Sequence, residues 1–182
     1  MRSTQPNLNE QIGQYSLDLV ALEVTHKLPP ILFDNPDHMA IKTASVSQFE
    51  EYVRSISDIS DELYCLEDND RFIVAAKLAA RIAVGFNQAV RWIEIKEPRP
   101  ELVGQDLVGI DHVEYLVNDI EAAIVQVDVR GVEHQLQSQG NHQIISASLN
   151  ELGQEVRISN TPLAALVTEK LESDEIYTLK AA

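Results

Sequence analysis

Cysteine is almost missing from this chain of 182 residues, in which Cys65 is the only one. A single cysteine excludes an internal disulfide, and without a CxxC or histidine-rich context Cys65 is predicted to be a buried thiol. No apolar run approaches the roughly 20 residues that span a bilayer. The N-terminus also lacks the apolar core of a secretory signal. These absences predict a cytoplasmic protein that does not enter a membrane.

Basic residues are also scarce, because 14 Lys and Arg stand against 29 Asp and Glu, for a net charge of -15. This charge repels phosphate backbones and anionic membrane surfaces, so nucleic acid is not an expected partner. The sequence has no P-loop, GxGxxG or GxSxG motif, which removes the support for nucleotide-dependent chemistry. The same negative field draws cations toward any cleft that can coordinate them.

The first half of the chain predicts a helix, then a strand, a helix and three strands. Residues 8–27 carry apolar side chains near helical spacing, and "LPP" ends the pattern. "HMAIKTA" predicts a strand, and "SVSQFEEYVRSIS" predicts a helix with Ser45 or Ser47 as N-cap. Residues 62–97 then contain three strand-like runs separated by "DND" and "GFNQ", and a proline- and glycine-rich linker follows.

The second half repeats this order. "IDHVEYLV" predicts a strand, "DIEAAIVQVDVRG" a helix with Asp119 as N-cap, and three short strands follow in "VEHQLQ", "HQIISASL" and "QEVRISN". "TPLAALVTEKLES" predicts a last helix with Pro162 at its first position, before a polar tail. The pattern predicts one domain over residues 1–182 with a duplicated module, at about 30–100 and 105–165.

Two similar stretches stand out, "NPDHMAIKT" and "GIDHVEYLV", each with an Asp-His pair at the start of a predicted strand. Their histidines, His38 and His112, lie 74 residues apart, at matching positions of the two modules. Imidazole is the commonest metal ligand in proteins. A satisfied surface histidine is the alternative at each position, but the matching positions favour a shared metal site.

A carboxylate lies on the last strand of the first module. Along "RWIEIKE", the two-residue period of a strand puts Trp92, Glu94 and Lys96 on one face. A carboxylate on the concave face of a curved sheet is desolvated unless it is paired, and a divalent cation supplies a partner. A pair with Lys96 or Arg91 on a solvated face is the alternative for Glu94.

This βαβββ order used twice, with a histidine on each first strand, resembles the vicinal oxygen chelate superfamily, which includes glyoxalase I and the ring-cleaving dioxygenases. "DHMAIK" after an N-terminal helix, "RWIEIKEPRP" and "DHVEYLV" are similar to its YecM-like branch. The resemblance covers about residues 30–162. It implies an α+β fold in which two modules form one incomplete barrel, with an extra N-terminal helix at about 8–27.

The resemblance implies metal ligands on the first and last strands of each module. It assigns His38, Glu94 and His112 to a divalent Zn, Fe, Mn or Ni ion. The fourth position falls in "QEVRIS", where Glu155, Arg157 or neither supplies a ligand, depending on the strand register. An inward-pointing Arg157 would remove that ligand.

The implied activity is that of a metal-dependent isomerase, lyase or dioxygenase acting on a small molecule with adjacent oxygens. Candidate bases are Glu114, which shares a strand face with His112, and His142 or Glu155. The alternatives are a metal- or ligand-binding module without catalysis and a scaffold that acts through protein contacts. The two modules allow a monomer or a homodimer.

Overall fold

Four α-helices and nine strands are formed by the residues that the computed structural model describes, which are 8–68, 71–85, 88–98, 109–151, 153–173 and 175–180. The helices are α1 (Leu8–His26), α2 (Val46–Ser57), α3 (Ile120–Val129) and α4 (Leu163–Glu172), and Pro30–Phe33 form a short 3-10 helix. The strands are β1 (Pro36–Lys42), β2 (Ser60–Asp68), β3 (Arg71–Gly85), β4 (Gln88–Lys96), β5 (Gly109–Leu116), β6 (His134–Gln139), β7 (His142–Ser148), β8 (Glu155–Ser159) and β9 (Ile176–Lys180).

All nine strands belong to one mixed sheet in the order β6-β7-β8-β5-β1-β4-β3-β2-β9. The first strands of the two halves, β1 and β5, pair antiparallel in its middle, and each also pairs in parallel with the last strand of its own half. The sheet stays open, with β6 and β9 at its edges. The predicted α+β fold with an extra N-terminal helix is confirmed.

Local capping explains where two of the helices begin. The Ser45 side chain accepts a hydrogen bond from the Gln48 backbone N–H at 3.2 Å, and Asp119 accepts one from Ala122 at 2.9 Å. Such caps satisfy backbone donors that a helix leaves free at its first turn. The sequence predicted Asp119 as a cap and offered Ser45 or Ser47 for α2, and the structure uses Ser45. Pro162 is the N-cap of α4, one residue before its predicted position.

The helices divide between the two faces of the sheet. Helices α1, α2 and α3 pack on one face and share the larger core with residues such as Met39 and Val113. The Tyr15 hydroxyl of α1 donates to the Glu155 carbonyl at 2.7 Å and accepts from the Val113 N–H at 3.1 Å. Helix α4 packs through Leu163 against a smaller core on the opposite face.

The C-terminal segment differs from its prediction. The predicted polar tail was wrong over Ile176–Lys180, which form β9 and pair antiparallel with β2. Ile176 is buried in the smaller core, and the Lys180 ammonium donates to the carbonyls of Ser57 and Ser60. A buried aliphatic side chain and a bound lysine outweigh the polar character of the segment.

The predicted linker lies mostly at residues 99–108, outside the described residues. The predicted division into modules therefore stays a prediction, although each half has the same order of elements. None of the helices in the described part of the chain combines the length and apolar character that membrane crossing requires.

Candidate metal centre

The two histidines of the Asp-His pairs meet at the centre of the sheet. In the antiparallel pairing of β1 and β5, His38 lies opposite Glu114 and Ala40 lies opposite His112, so both imidazoles share one face. Their Nε2 atoms lie 3.4 Å apart, and the two residues are 3% and 0% exposed. Histidines on opposite faces of the sheet would have supported a scaffold without a metal ion, but the two histidines lie on the same face.

Each imidazole is held by the aspartate that precedes it in the sequence. The Nδ1 atom of His38 lies 3.0 Å from Asp37 Oδ2, and that of His112 lies 3.1 Å from Asp111 Oδ2. A carboxylate only accepts, so each Nδ1 carries a hydrogen and each Nε2 is left to face the other ring. Two unprotonated Nε2 atoms repel at this distance, so the pair requires a proton on one or a cation between them.

The surrounding charges act differently on the two rings. Burial lowers the pKa of His38, but Glu114, Asp37 and Glu94 outweigh it and raise that pKa above its ordinary value. Burial, Arg157 and Lys96 together hold the pKa of His112 well below its ordinary value, despite its aspartate partner. His112 is therefore neutral at pH 7, which is the form that binds a metal ion.

Two carboxylates accompany the histidines. Ligand atoms of His38, His112 and Glu114 all lie within 4.8 Å of one another, and Glu114 is only 3% exposed. Glu94 lies on the same face of β4, with Oε2 at 3.8 Å from His38 Nε2 and 3.7 Å from the Lys96 ammonium. The sequence predicted Glu94 as a ligand and Glu114 as a base, and the structure brings both beside the histidines.

Arg157 occupies the position that corresponds to Glu94 in the second half. Glu94 pairs with Ala40, two residues after His38, and Arg157 pairs with Glu114, two residues after His112. The Arg157 Nε and Nη2 donate to Glu155 Oε2 at 3.0 and 2.9 Å. A guanidinium cannot bind a cation, so the fourth ligand position left open by the sequence holds a positive charge.

Asp111 and two lysines form an ion cluster beside the His112 ring. Asp111 Oδ2 accepts from the Lys96 ammonium at 2.9 Å, and Oδ1 lies 2.7 Å from that of Lys42. Burial alone would raise the pKa of Asp111, but the hydrogen bond from His112 and the two lysines hold it far below its ordinary range. The sequence did not predict these roles of Asp37, Asp111 and Lys42, although the repeated Asp-His pair was a signal for the aspartates. It offered Lys96 only as a partner of Glu94, from which the Lys96 ammonium lies 3.7 Å away.

His142 lies apart from the cluster. Glu114 pairs with Arg157, which pairs with Ser146 on β7. His142 lies four residues along β7 from Ser146, a distance of roughly 13 Å at the rise per residue of a strand. Its Nε2 is buried without a hydrogen-bond partner among the described residues. The predicted role of His142 as a base stays a prediction.

Comparison of the sequence with protein-family models finds no match, and neither does comparison with curated proteins. Among solved structures, the structural-genomics Protein EC4020 is 14% identical with a TM-score of 0.71, and the match covers 93% of this chain and 100% of that chain.

Hypothetical protein BH1468 from Bacillus halodurans C-125 is 18% identical, with a TM-score of 0.48 and coverage of 70% of this chain and 94% of that one. Methylmalonyl-CoA epimerase from Mycobacterium tuberculosis is also 18% identical, with a TM-score of 0.47 and coverage of 74% and 91%. These two likenesses are too distant to support a function. The comparisons establish that this chain shares the fold of Protein EC4020.

Proposed function

We propose that this chain is a metal-binding protein of the vicinal oxygen chelate type that binds or transforms a small molecule with adjacent oxygens. One observation carries the proposal, which is the pair of buried Nε2 atoms 3.4 Å apart, each on a ring held by its own aspartate. His38, His112 and Glu114 would hold a divalent Zn, Fe, Mn or Ni ion, with Glu94 as a further carboxylate beside them.

The donor set fits such an ion. Two nitrogens that share a tetrahedral Zn²⁺ at about 2.0–2.1 Å lie roughly 3.3 Å apart, close to the observed 3.4 Å. Carboxylates that accept from the far ring nitrogen are the usual partners of metal-binding histidines, because they fix the tautomer. A cation also relieves the desolvation of Glu114, which is 3% exposed. Two imidazoles and a carboxylate suit all four metals.

When bound, the ion would polarise two adjacent oxygens of a substrate and stabilise an oxyanion. Glu94 and Glu114 lie on the same face as the histidines, so the one that does not ligate is positioned to take a proton at its carboxylate. Lys96 and Lys42 hold Asp111, and Asp111 keeps His112 in the tautomer that leaves Nε2 free.

A binding protein without catalysis is the second candidate, and the position of Arg157 favours it. An arginine where the first half has Glu94 removes one carboxylate ligand. The histidines and Glu114 are also nearly inaccessible to solvent. If small chelators cannot displace a water ligand from the bound ion, the ion has no open position, and this result would identify the non-catalytic binding protein. A water ligand that chelators do displace would identify the protein that transforms a substrate.

The first experiment is metal analysis by mass spectrometry on protein purified without a His-tag or chelator. We expect near-stoichiometric metal in the wild type and loss of metal in His38→Ala and in His112→Ala. His134→Ala is the matched control, because that imidazole donates to a backbone carbonyl and lies near Asp128, away from the cluster. Circular dichroism of each variant checks that its fold is retained.

Metal retained in folded His112→Ala at the wild-type level would contradict the proposal. So would a wild-type protein that takes up none of the four metals after supplementation.

A further inference from the structure

We infer that Arg157 and Ser146 form an anion subsite beside the proposed metal site, and that it takes the carboxylate of a small 2-oxo or 2-hydroxy acid. This inference rests on the proposed function and narrows its substrate class. Arg157 and Ser146 pair across β8 and β7, and Arg157 pairs with Glu114 on its other side. The three side chains therefore form a row on the face that carries the histidines.

The guanidinium of Arg157 has N–H groups that make no hydrogen bond to the described residues. Of its five N–H groups, Nε–H and one on Nη2 bond to a single oxygen of Glu155. Among the described residues, no other hydrogen bond engages this side chain. The edge formed by Nη1 and Nη2 remains, and it can hold a carboxylate with two parallel bonds. Arg157 can therefore bind a ligand carboxylate without releasing Glu155.

The hydroxyl of Ser146 supplies a second donor. Its Oγ is buried and has no hydrogen-bond partner among the described residues, although Ser146 is only 6% exposed. A buried hydroxyl without a partner is costly, and such groups in native proteins call for an explanation. A carboxylate held by Arg157, one strand spacing away, would satisfy it.

A cleft of about 620 Å³ adjoins the row at Ser146. Ser146, Ser148 and Glu155 line it together with Leu22 and His26 of α1 and residues 131–135, whereas Arg157 and Glu114 are not part of its lining. Neighbouring strands lie roughly 4.8 Å apart, so a carboxylate at Arg157 lies close enough for an adjacent oxygen to reach an ion held by Glu114. This spacing indicates an acid with its second oxygen on the neighbouring carbon.

Electrostatics supports the same class of ligand. A guanidinium beside a divalent cation disfavours metal binding, and the Arg157 charge is offset in part by Glu155. An anion that lies between the cation and the guanidinium attracts both. The metal ion and a carboxylate ligand should therefore reinforce each other's binding.

The test uses the full chain loaded with Zn²⁺ and titrated with oxalate in a calorimeter. We expect Arg157→Gln to weaken oxalate binding at least tenfold, Arg157→Lys to weaken it less, and Ser146→Ala to weaken it several-fold. Arg91→Gln is the matched control, because Arg91 pairs with the exposed Asp61 elsewhere on the sheet. Imidazole, a neutral metal ligand, should bind equally to all of these proteins.

Oxalate that binds Arg157→Gln and Ser146→Ala as tightly as wild type would overturn the subsite, and so would wild-type protein that binds Zn²⁺ but no oxalate. A preceding Zn²⁺ titration tests the proposed function separately. If Zn²⁺ does not bind, oxalate is titrated into the zinc-free protein. Binding that depends on Arg157 would then support the subsite alone, and no binding would overturn it as well.

Discussion

Asp111 is a buried aspartate at the centre of the sheet, and two lysines and a histidine contact it. It is 4% exposed and contacts the His112 ring, the Lys96 ammonium and the Lys42 ammonium. Lys96 is itself only 5% exposed. A buried ion pair adds little net stability when complete, but the removal of one partner leaves the other charge desolvated. The stability of the sheet centre therefore depends on this aspartate.

We predict that Asp111→Asn lowers the free energy of unfolding by about 3 kcal/mol, because it leaves buried Lys96 without its main counter-charge. Urea denaturation followed by circular dichroism measures the change. Asp61→Asn is the control, because its pair with Arg91 is exposed, with side chains 38% and 47% accessible, and such pairs are worth about 0.5 kcal/mol. Equal losses in the two variants would contradict this account.

At the residue scale, the sequence was sufficient to group the two histidines and to name Glu94 and Glu114 as candidates, but not to show which carboxylate lies nearest to both rings. The repeated Asp-His pair pointed to His38 and His112 because a short motif at two matching strand starts is visible without tertiary information. The proximity of Glu114 depends on the β1–β5 register, which places it opposite His38. That register is set by packing between strands far apart in the chain, so the sequence alone left it open.

At the scale of elements, one aspartate oxygen joins helix α4 to the candidate site. Asp37 Oδ2 accepts both from His38 Nδ1 at 3.0 Å and from the Leu163 backbone N–H at 2.7 Å. Leu163 begins α4, which packs over Trp92 in the smaller core. The orientation of a proposed ligand and the start of a helix therefore depend on the same group.

We predict that Asp37→Ala weakens Zn²⁺ binding by about tenfold, since loss of a histidine's carboxylate partner typically costs 10–100-fold. The same variant should increase amide hydrogen exchange in the first turn of α4, because Leu163 loses its acceptor. Calorimetry and hydrogen-exchange mass spectrometry measure the two effects.

Asp119→Ala is the matched control for this coupling, because Asp119 caps α3 in the same way and has no contact with the histidines. It should increase exchange in α3 and leave Zn²⁺ affinity unchanged. If Asp37→Ala changes only one of the two readouts, the coupling between α4 and the site is wrong.

Element boundaries were predictable where the signal was local. Ser45 and Asp119 cap their helices through residues three positions away, so the sequence contains both partners. Strand β9 was missed because its pairing with β2 joins residues more than a hundred positions apart. A single buried side chain, Ile176, is too weak a pattern to separate a strand from a tail.

At the scale of the whole molecule, the candidate site lies where the two halves of the sheet pair with each other. His38 belongs to the first strand of one half and His112 to the first strand of the other, and β1 and β5 are the strands through which the halves pair. An ion that binds both rings would therefore tie the two halves of the sheet together. The net charge of -15 attracts cations to the protein.

This position predicts that metal stabilises the entire fold. A ligand that binds only the folded state at a hundredfold excess over its dissociation constant adds about 2.7 kcal/mol, which for a chain of this length corresponds to roughly 5–11 °C in Tm. We expect Zn²⁺ to raise the Tm of the wild type and of His134→Ala by this amount and to leave that of His112→Ala unchanged, as measured by scanning calorimetry. An equal rise in His112→Ala would place the stabilising ion elsewhere, and a single cooperative transition that shifts as a unit would show that the ion acts on both halves together.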